Sequence, residues 1–304
     1  MNSKNILLKL TVILSFLFII SCNKENSTKS DNNQKKEQLV VSLPPLKWVV
    51  EKIAGENFEV TSIVSQNMNH ELFEPKPKDL AILENTKLFF AYNTLPFEEH
   101  IIDSLSDKNK VVEVLNGVND NMLIRSYHDH ENDGDKDLNK KEHNNNIIDP
   151  HVWFSLDIMP LIANNVKEKL IAKYPDKKEE FIKNYTLFIN EINDFKSKID
   201  NDLKNKKNPS FIIYHPALNY FLKDRNLFQI EIEQDGKEPS AKYIKTVIDE
   251  ARSKNIKTIL VQPQFPKQSA EAISNEIPDS KVLPFNVLEE NVFNNLQKFV
   301  DTLN

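Results

Sequence analysis

Three histidines in this sequence stand where a folded chain could bring them together. His70 lies six residues beyond a predicted strand, His151 precedes a predicted helix, and His215 ends the apolar run FIIYH. Neutral imidazole is the commonest protein ligand of Zn²⁺, and three imidazoles leave one position of the zinc tetrahedron for a water or a fourth side chain. Each histidine alone is more often structural, but the three together predict a metal site.

The apolar runs around these histidines alternate between strand and helix patterns. The strand-like runs include LVVSL, FEVTSIV and KLFFAY in the first half, and SFIIYH, LFQIEIEQ and KTILVQ in the second half. Strands that alternate with helices favour parallel sheets, and open parallel sheets place their ligands at the carboxyl ends of the strands. The sequence therefore predicts an α/β protein with two parallel-sheet lobes, residues 39–175 and 208–304.

Residues 176–207, between the two predicted lobes, indicate one long amphipathic helix. Apolar residues recur every three or four positions from Phe181 to Leu203, and neither proline nor glycine interrupts them before Pro209. This spacing places the apolar side chains on one helical face. A helix of this length extends over about 45 Å, which is long enough to join two lobes as a spine.

Residues 117–147 lack apolar periodicity and predict a loop within the first lobe. Three more histidines, His128, His130 and His143, stand in this loop among many acidic residues. Two interpretations stay open. The loop could be an auxiliary site that collects zinc loosely near the cleft, or a solvated segment whose histidines are incidental.

The N-terminus has the pattern of a bacterial export signal, which predicts an extracytoplasmic protein. The apolar run LTVILSFLFII is too short to span a bilayer, and it leads to IISC, where Cys22 is the sole cysteine. This end resembles the bacterial lipobox, which implies a signal peptide at residues 1–21 and a lipid anchor on Cys22. A plain signal peptide with an incidental cysteine is the alternative. The polar residues 22–38 predict a disordered tether.

The composition excludes several classes of function. A net charge of −6 disfavours nucleic acid as a partner. With only four glycines in the chain, neither a P-loop nor a GxGxxG dinucleotide motif can be built. The single cysteine also excludes an intramolecular disulfide.

The motifs around the three histidines resemble those of the zinc/manganese-type (cluster A-I) solute-binding proteins of bacterial ABC transporters. The matching stretches are NHELFEPKPKDLAIL, DPHVWFSL and YHPALNYFLKDRNL, in the order that the family shows. The resemblance covers residues 38–304. It implies two α/β lobes joined by a long rigid helix, with His70, His151 and His215 as metal ligands in the cleft between the lobes.

Two positions of the family pattern bear on the choice of metal. In the family pattern that this chain resembles, manganese-type members have Glu at the position of His215. The family usually has Asp at the position of Asn286. Nitrogen ligands suit Zn²⁺, whereas Mn²⁺ prefers carboxylate oxygen. The resemblance therefore implies Zn²⁺ as the bound ion, with manganese or another divalent ion as the alternative. Asn286 is a candidate fourth ligand through its amide oxygen, and a water is the other candidate.

What the resemblance implies is high-affinity capture of Zn²⁺ and its delivery to an ABC permease served by a cytoplasmic ATPase. The protein is expected to be a monomer and not an enzyme. A secreted zinc hydrolase is the alternative from another class, with Glu71, Glu74 or Asp149 as its general base, although no HExxH motif fixes one. Because ligating imidazoles must be unprotonated, zinc affinity is expected to fall as the pH drops through about 6.5.

Overall fold

Two parallel sheets organise the protein, which is described in a computed structural model for residues 36–126, 147–223, 225–234 and 237–303. The first half of the chain contains β1 (Glu37–Val41), α1 (Pro44–Ala54), β2 (Phe58–Ser62), α2 (Pro77–Glu84), β3 (Phe89–Ala91), α3 (Pro96–Ser104), β4 (Val111–Glu113), β5 (Arg125–Ser126), β6 (Ile147–Ile148) and α4 (Met159–Lys173). The first sheet has four parallel strands in the order β2-β1-β3-β4. The first strand begins at Glu37, two residues before the predicted lobe.

The second half repeats the alternation of strand and helix. Its elements are β7 (Ser210–Ile213), α6 (Asn219–Leu222), β8 (Phe228–Glu231), α7 (Ala241–Ser253), β9 (Thr258–Val261), α8 (Gln268–Glu276), β10 (Lys281–Pro284) and α9 (Val292–Thr302), with α5 (Lys178–Lys204) joining the halves. The second sheet also has four parallel strands, in the order β10-β9-β7-β8. The predicted α/β class with two parallel sheets and a long connecting helix is confirmed.

The long helix α5 packs against both halves of the chain. It has 27 residues, and its buried side chains include Phe181, Phe188 and Ile199 on the predicted apolar face. The ring of Phe188 lies 5.2 Å from that of Trp48 on α1, and Phe195 stacks on Phe293 of α9 at 4.2 Å between centroids. A helix held in this way along its length cannot bend as a flexible hinge does.

The hydrophobic core is larger than either predicted lobe. One cluster of buried side chains extends from the first sheet through α5 to Phe211 and Ile213 on one face of β7, and a second cluster covers the other face around Ile212. The described residues from Lys36 onward form one compact unit. The domain limits at residues 175–176 and 207–208 stay a prediction.

The predicted loop 117–147 has ordered ends. Arg125 pairs with Ile148 and Ser126 with Ile147 in a short antiparallel ladder, and the backbone N–H of Asp149 donates to the carbonyl of Ile124 at 2.8 Å. The chain therefore returns to β6 at a fixed place directly before His151. Residues 127–146, which include His128, His130 and His143, lie outside the described residues, as does Cys22. In the part of the chain that the structure describes, no helix is long and apolar enough to cross a membrane.

Gly55 ends helix α1 where that helix meets α5. Its backbone has φ 77° and ψ −171°, a region that only glycine adopts readily. A Cβ atom at this position would lie 2.9 Å from Oε1 of Glu180 and 3.1 Å from Nδ2 of Asn184. Both side chains are themselves engaged, since Glu180 accepts from Asn57 and Asn184 donates to the carbonyl of Ile53.

We expect Gly55→Ala to lower the free energy of unfolding by about 2–4 kcal/mol, from backbone strain together with displaced hydrogen bonds. Gly117→Ala is the matched control, because Gly117 also has a positive φ of 80° but has nothing within 4 Å of the added Cβ. Urea unfolding of the two variants and the wild type measures the difference. Equal losses in both variants would show that the close approach to α5 contributes nothing.

Candidate metal centre

His70 lies in the segment between β2 and α2, on a turn built by the preceding residue. The side-chain oxygen of Asn69 accepts hydrogen bonds from the backbone N–H groups of Glu71 and Leu72, at 3.0 and 3.3 Å. This local turn buries His70, which is only 1% exposed, and leaves Leu72 in solvent, 79% exposed. Glu71 lies between them and is 34% exposed. An imidazole and a carboxylate are thus presented side by side.

His151 is held by the residue two positions before it. Oδ1 of Asp149 accepts from the backbone N–H of His151 at 2.9 Å and lies 2.8 Å from Nδ1 of its ring. The other oxygen of Asp149 accepts from Nδ2 of Asn219 at 3.0 Å, a residue of the second half. The motif DPH therefore has a local physical meaning: the aspartate fixes the ring so that Nε2 points away from it, into the site.

His215 follows β7 at the carboxyl end of the second sheet. Its backbone N–H and carbonyl both bond the side chain of Gln262, which follows the neighbouring strand β9, at 3.2 and 2.6 Å. Nδ1 of the ring lies 2.8 Å from Oε1 of Glu233, which follows β8. The carboxyl ends of three adjacent parallel strands thus orient this one imidazole, as open α/β sheets commonly do for ligand-binding groups.

The rings of the three histidines lie close together. Nε2 of His70 lies 3.2 Å from Nε2 of His151, and the rings of His151 and His215 are 5.2 Å apart between centroids. Nε2 of His215 lies 3.2 Å from Oε1 of Glu71. His70, Glu71 and His151 each offer a ligand atom within 4.8 Å of the others. The structure brings the three predicted histidines together, and their role as metal ligands stays a prediction.

Most of these groups, but not His70, border a cavity of about 280 Å³ between the two halves of the chain. Its lining includes Glu71, Asp149, His151, His215 and Glu233. Tyr220, from the second half, accepts from the backbone N–H of Ile124 and donates to the carbonyl of Asp149, at 3.1 Å each. The cavity is the cleft that the sequence predicted between the lobes.

The protonation of the histidines differs sharply within the cluster. Burial, reinforced by the neighbouring His151, lowers the pKa of His70 to about 3. Burial opposes protonation of His215 as well, but its pairing with Glu233 and then with Glu71 outweighs burial and raises its pKa to about 10. At neutral pH the metal-free protein therefore holds a neutral His70 and a charged His215.

The carboxylates of the cluster are ionised partners of the histidines. Burial raises the pKa of Glu71, yet the bond to His215 outweighs it and brings the pKa to about 2. Burial likewise acts against ionisation of Asp149, and its hydrogen bond with His151 overcomes this and lowers its pKa. The charge of protonated His215 is thus compensated by Glu71, so a metal ion that binds this imidazole must displace its proton.

Asn286, the candidate fourth ligand, is engaged in its own turn. Its amide oxygen accepts from the backbone N–H of Leu288 at 3.0 Å, and its backbone carbonyl accepts from Asn295 at 2.8 Å. The next residue, Val287, accepts a hydrogen bond from the indole N–H of Trp153 at 3.0 Å. The turn of Asn286 is therefore fixed, and its metal-ligating role stays a prediction.

Two site residues were missed in the sequence. The sequence suggests Glu71 only as the general base of a hydrolase, although this residue directly follows His70 in the first motif. Glu233 was not singled out at all, although the rule that pointed to His215, a polar residue just after a buried strand, applies to it equally. Neither the first motif nor the position after a strand gives the distance between these carboxylates and His215.

The comparison with known families gives one match that covers most of the chain. The family model described as zinc-uptake complex component A, periplasmic (ZnuA), matches residues 39–304. Zinc-binding lipoprotein AdcA of Streptococcus pneumoniae (strain ATCC BAA-255 / R6) is 26% identical over 267 residues, which are 86% of this chain and 51% of that protein. The chain therefore spans about half the length of this relative.

A second relative has nearly the same length as this chain. High-affinity zinc uptake system protein ZnuA of Bacillus subtilis (strain 168) is 25% identical over 277 residues, 90% of this chain and 86% of that protein. Among solved structures, a crystal structure of ZnuA is 27% identical with a TM-score of 0.75 and covers 87% of this chain and 96% of its own. A ZnuA deletion mutant with zinc bound is 26% identical, with a TM-score of 0.73, over 87% of this chain and 95% of its own.

Proposed function

The chain belongs to the family of periplasmic components of zinc-uptake complexes, and from this membership we propose that it captures Zn²⁺ outside the cytoplasm for delivery to an ABC permease. The observation that carries the proposal is the close approach of His70, His151 and His215, of which His151 and His215 line one cavity between the two halves of the chain. Three imidazoles are a donor set that zinc prefers.

The ligand histidines are supported by carboxylates. Asp149 holds Nδ1 of His151 and Glu233 holds Nδ1 of His215, each at 2.8 Å. A carboxylate behind a ligating imidazole fixes its tautomer and orientation and makes it a better donor. His70 and His151 belong to the first half and His215 to the second, so a bound ion would tie the two halves together. Helix α5, which packs on both halves, limits any accompanying closure to small movements.

The remaining parts of the transport system follow from the family and from the N-terminal motif. A lipid on Cys22 would keep the protein at the membrane, where a permease with its cytoplasmic ATPase receives the ion. The protein would act as a monomer and bind rather than catalyse. His128, His130 and His143 would form an auxiliary, weaker zinc site next to the cleft.

Metal competition tests this function. Metal-depleted protein titrated against zinc and manganese in the presence of calibrated chelators should take up one tightly bound Zn²⁺ per chain, with Mn²⁺ at least about 100-fold weaker, because the site is rich in nitrogen donors. Additional weak zinc would belong to the loop histidines. Manganese binding as tight as zinc, or no tight metal at all, would contradict the proposal. No metal-dependent hydrolysis of esters, peptides or phosphates is expected.

A further inference from the structure

We propose that Glu71 is the fourth protein ligand of the zinc ion, in place of Asn286, so that the complete donor set is three imidazoles and one carboxylate. This assignment rests on the proposed function, because it takes zinc capture at this cavity as given and assigns its last ligand. The separations between the donor atoms carry the argument.

Two pairs of donor atoms have the spacing of a zinc tetrahedron. Zinc bonds to nitrogen and oxygen are about 2.0–2.2 Å long, so two ligand atoms of one tetrahedral ion lie roughly 3.3 Å apart. Nε2 of His70 and Nε2 of His151 are 3.2 Å apart, and Nε2 of His215 and Oε1 of Glu71 are also 3.2 Å apart. His70, Glu71 and His151 also have ligand atoms within 4.8 Å of one another. The carboxylate of Glu71 is therefore within reach of an ion held by His70 and His151, and it adjoins His215 as well.

The side chain of Asn286 is committed to its own turn. Its amide oxygen accepts the backbone N–H of Leu288 at 3.0 Å, so coordination would break a hydrogen bond that forms its own turn. Its amide is also neutral. Among the described residues, the carboxylate of Glu71 accepts no hydrogen bond from the backbone. The backbone N–H of Glu71 is fixed by the side chain of Asn69 at 3.0 Å.

The charge of the zinc ion also favours Glu71 as the fourth ligand. Three neutral imidazoles leave the full double charge of Zn²⁺ inside a cavity whose His70 and His151 are 1% and 2% exposed. Burial of an uncompensated charge is costly, and an anionic ligand reduces that cost. The side chain of Glu71 is 34% exposed, more than any of the histidines, so it lies at the solvent side of the cluster. In the fourth position it would take the place of the water that a catalytic zinc requires.

The test compares Glu71→Gln with two controls in the full chain. Glu74→Gln changes an exposed carboxylate three residues further along the same segment, and Asn286→Ala removes the competing candidate. We expect Glu71→Gln to weaken zinc binding by at least about 10-fold in chelator competition, and both controls to stay within about twofold of the wild type. A crystal structure of zinc-loaded wild type should place Oε1 or Oε2 of Glu71 at about 2.0–2.2 Å from the ion.

The opposite result has a distinct meaning. If Glu71 serves only as the ion-pair partner of His215 in the metal-free protein, Glu71→Gln frees that imidazole for zinc, and the affinity stays unchanged or rises. That result, or a weakening seen with Asn286→Ala instead, overturns the assignment and leaves zinc capture itself intact. A wild-type protein without tight zinc would instead overturn the proposed function. The zinc-loaded structure decides the assignment even where Glu71→Gln does not fold.

Discussion

His215→Ala should lower the affinity for zinc by more than about 100-fold. Loss of an outer carboxylate behind a metal ligand already costs about 10–100-fold, and removal of the ligand itself costs more. His215 is also the one proposed ligand that comes from the second half of the chain, so its loss leaves the ion bound to the first half alone. The variant further leaves Glu233 and Glu71 facing each other without the imidazole that lies between them, 2.8 and 3.2 Å from the two carboxylates.

The matched control is His100→Ala. His100 is exposed on helix α3, away from the cavity, so its removal should leave zinc affinity within about twofold of the wild type. Competition titration of the three proteins, with circular dichroism to verify that each is folded, makes the comparison. Zinc binding by His215→Ala as tight as that of the wild type would contradict the assignment of the site.

Much of this arrangement could be predicted from the sequence, because its signals are local. The alternation of strand and helix patterns predicted two parallel sheets, and the apolar periodicity from Phe181 to Leu203 predicted helix α5. The DPH motif, which the resemblance marks as a metal motif at His151, has a local basis, since Asp149 holds His151 from only two positions away. Each of these features depends on neighbours in the chain, so a single sequence is enough to find them.

Other features depend on contacts between distant parts of the chain, and the sequence does not contain their distances. Glu71 and His215 meet only because the first and second halves pack around α5 and a common core. The hydrogen bond from Asn219 to Asp149 and that from Trp153 to the backbone of Val287 join the halves at the same place. The extension of one core across both halves also could not be inferred from periodicity, which describes one element at a time.

Zinc affinity should rise about tenfold per pH unit between roughly pH 7 and pH 9, by about 100-fold in total. The sequence alone predicted a loss of affinity only below about pH 6.5, the ordinary value for imidazole. In the structure Glu233 and Glu71 raise the pKa of His215 to about 10, so its proton must leave when zinc binds at neutral pH. His70, whose pKa lies at about 3, carries no proton to displace in this range.

The direction of this pH dependence follows because the metal-free protein and the zinc complex prefer different protonation states of His215. The raised pKa means that the metal-free protein is stabilised by protonated His215 at every pH below about 10, whereas the zinc complex needs the neutral ring. Lower pH therefore favours the metal-free form, and calorimetry in buffers of different ionisation enthalpy should detect about one proton released per zinc at pH 7.

Glu233→Gln separates this proton linkage from coordination. Glu233 is the partner that most strongly favours the charged form of His215, so its replacement by a neutral amide should bring the pKa of His215 down and flatten the pH dependence above pH 7. The same change weakens the support of the ligating ring and should lower zinc affinity at pH 9 by about 10–100-fold. The slope of zinc affinity against pH measures the change in proton linkage, and the affinity at pH 9 measures the loss of support for the ligating ring. A wild-type affinity that is constant from pH 7 to pH 9 would mean that His215 is already neutral in the metal-free protein, and that its contacts with Glu233 and Glu71 are not those of an ion pair.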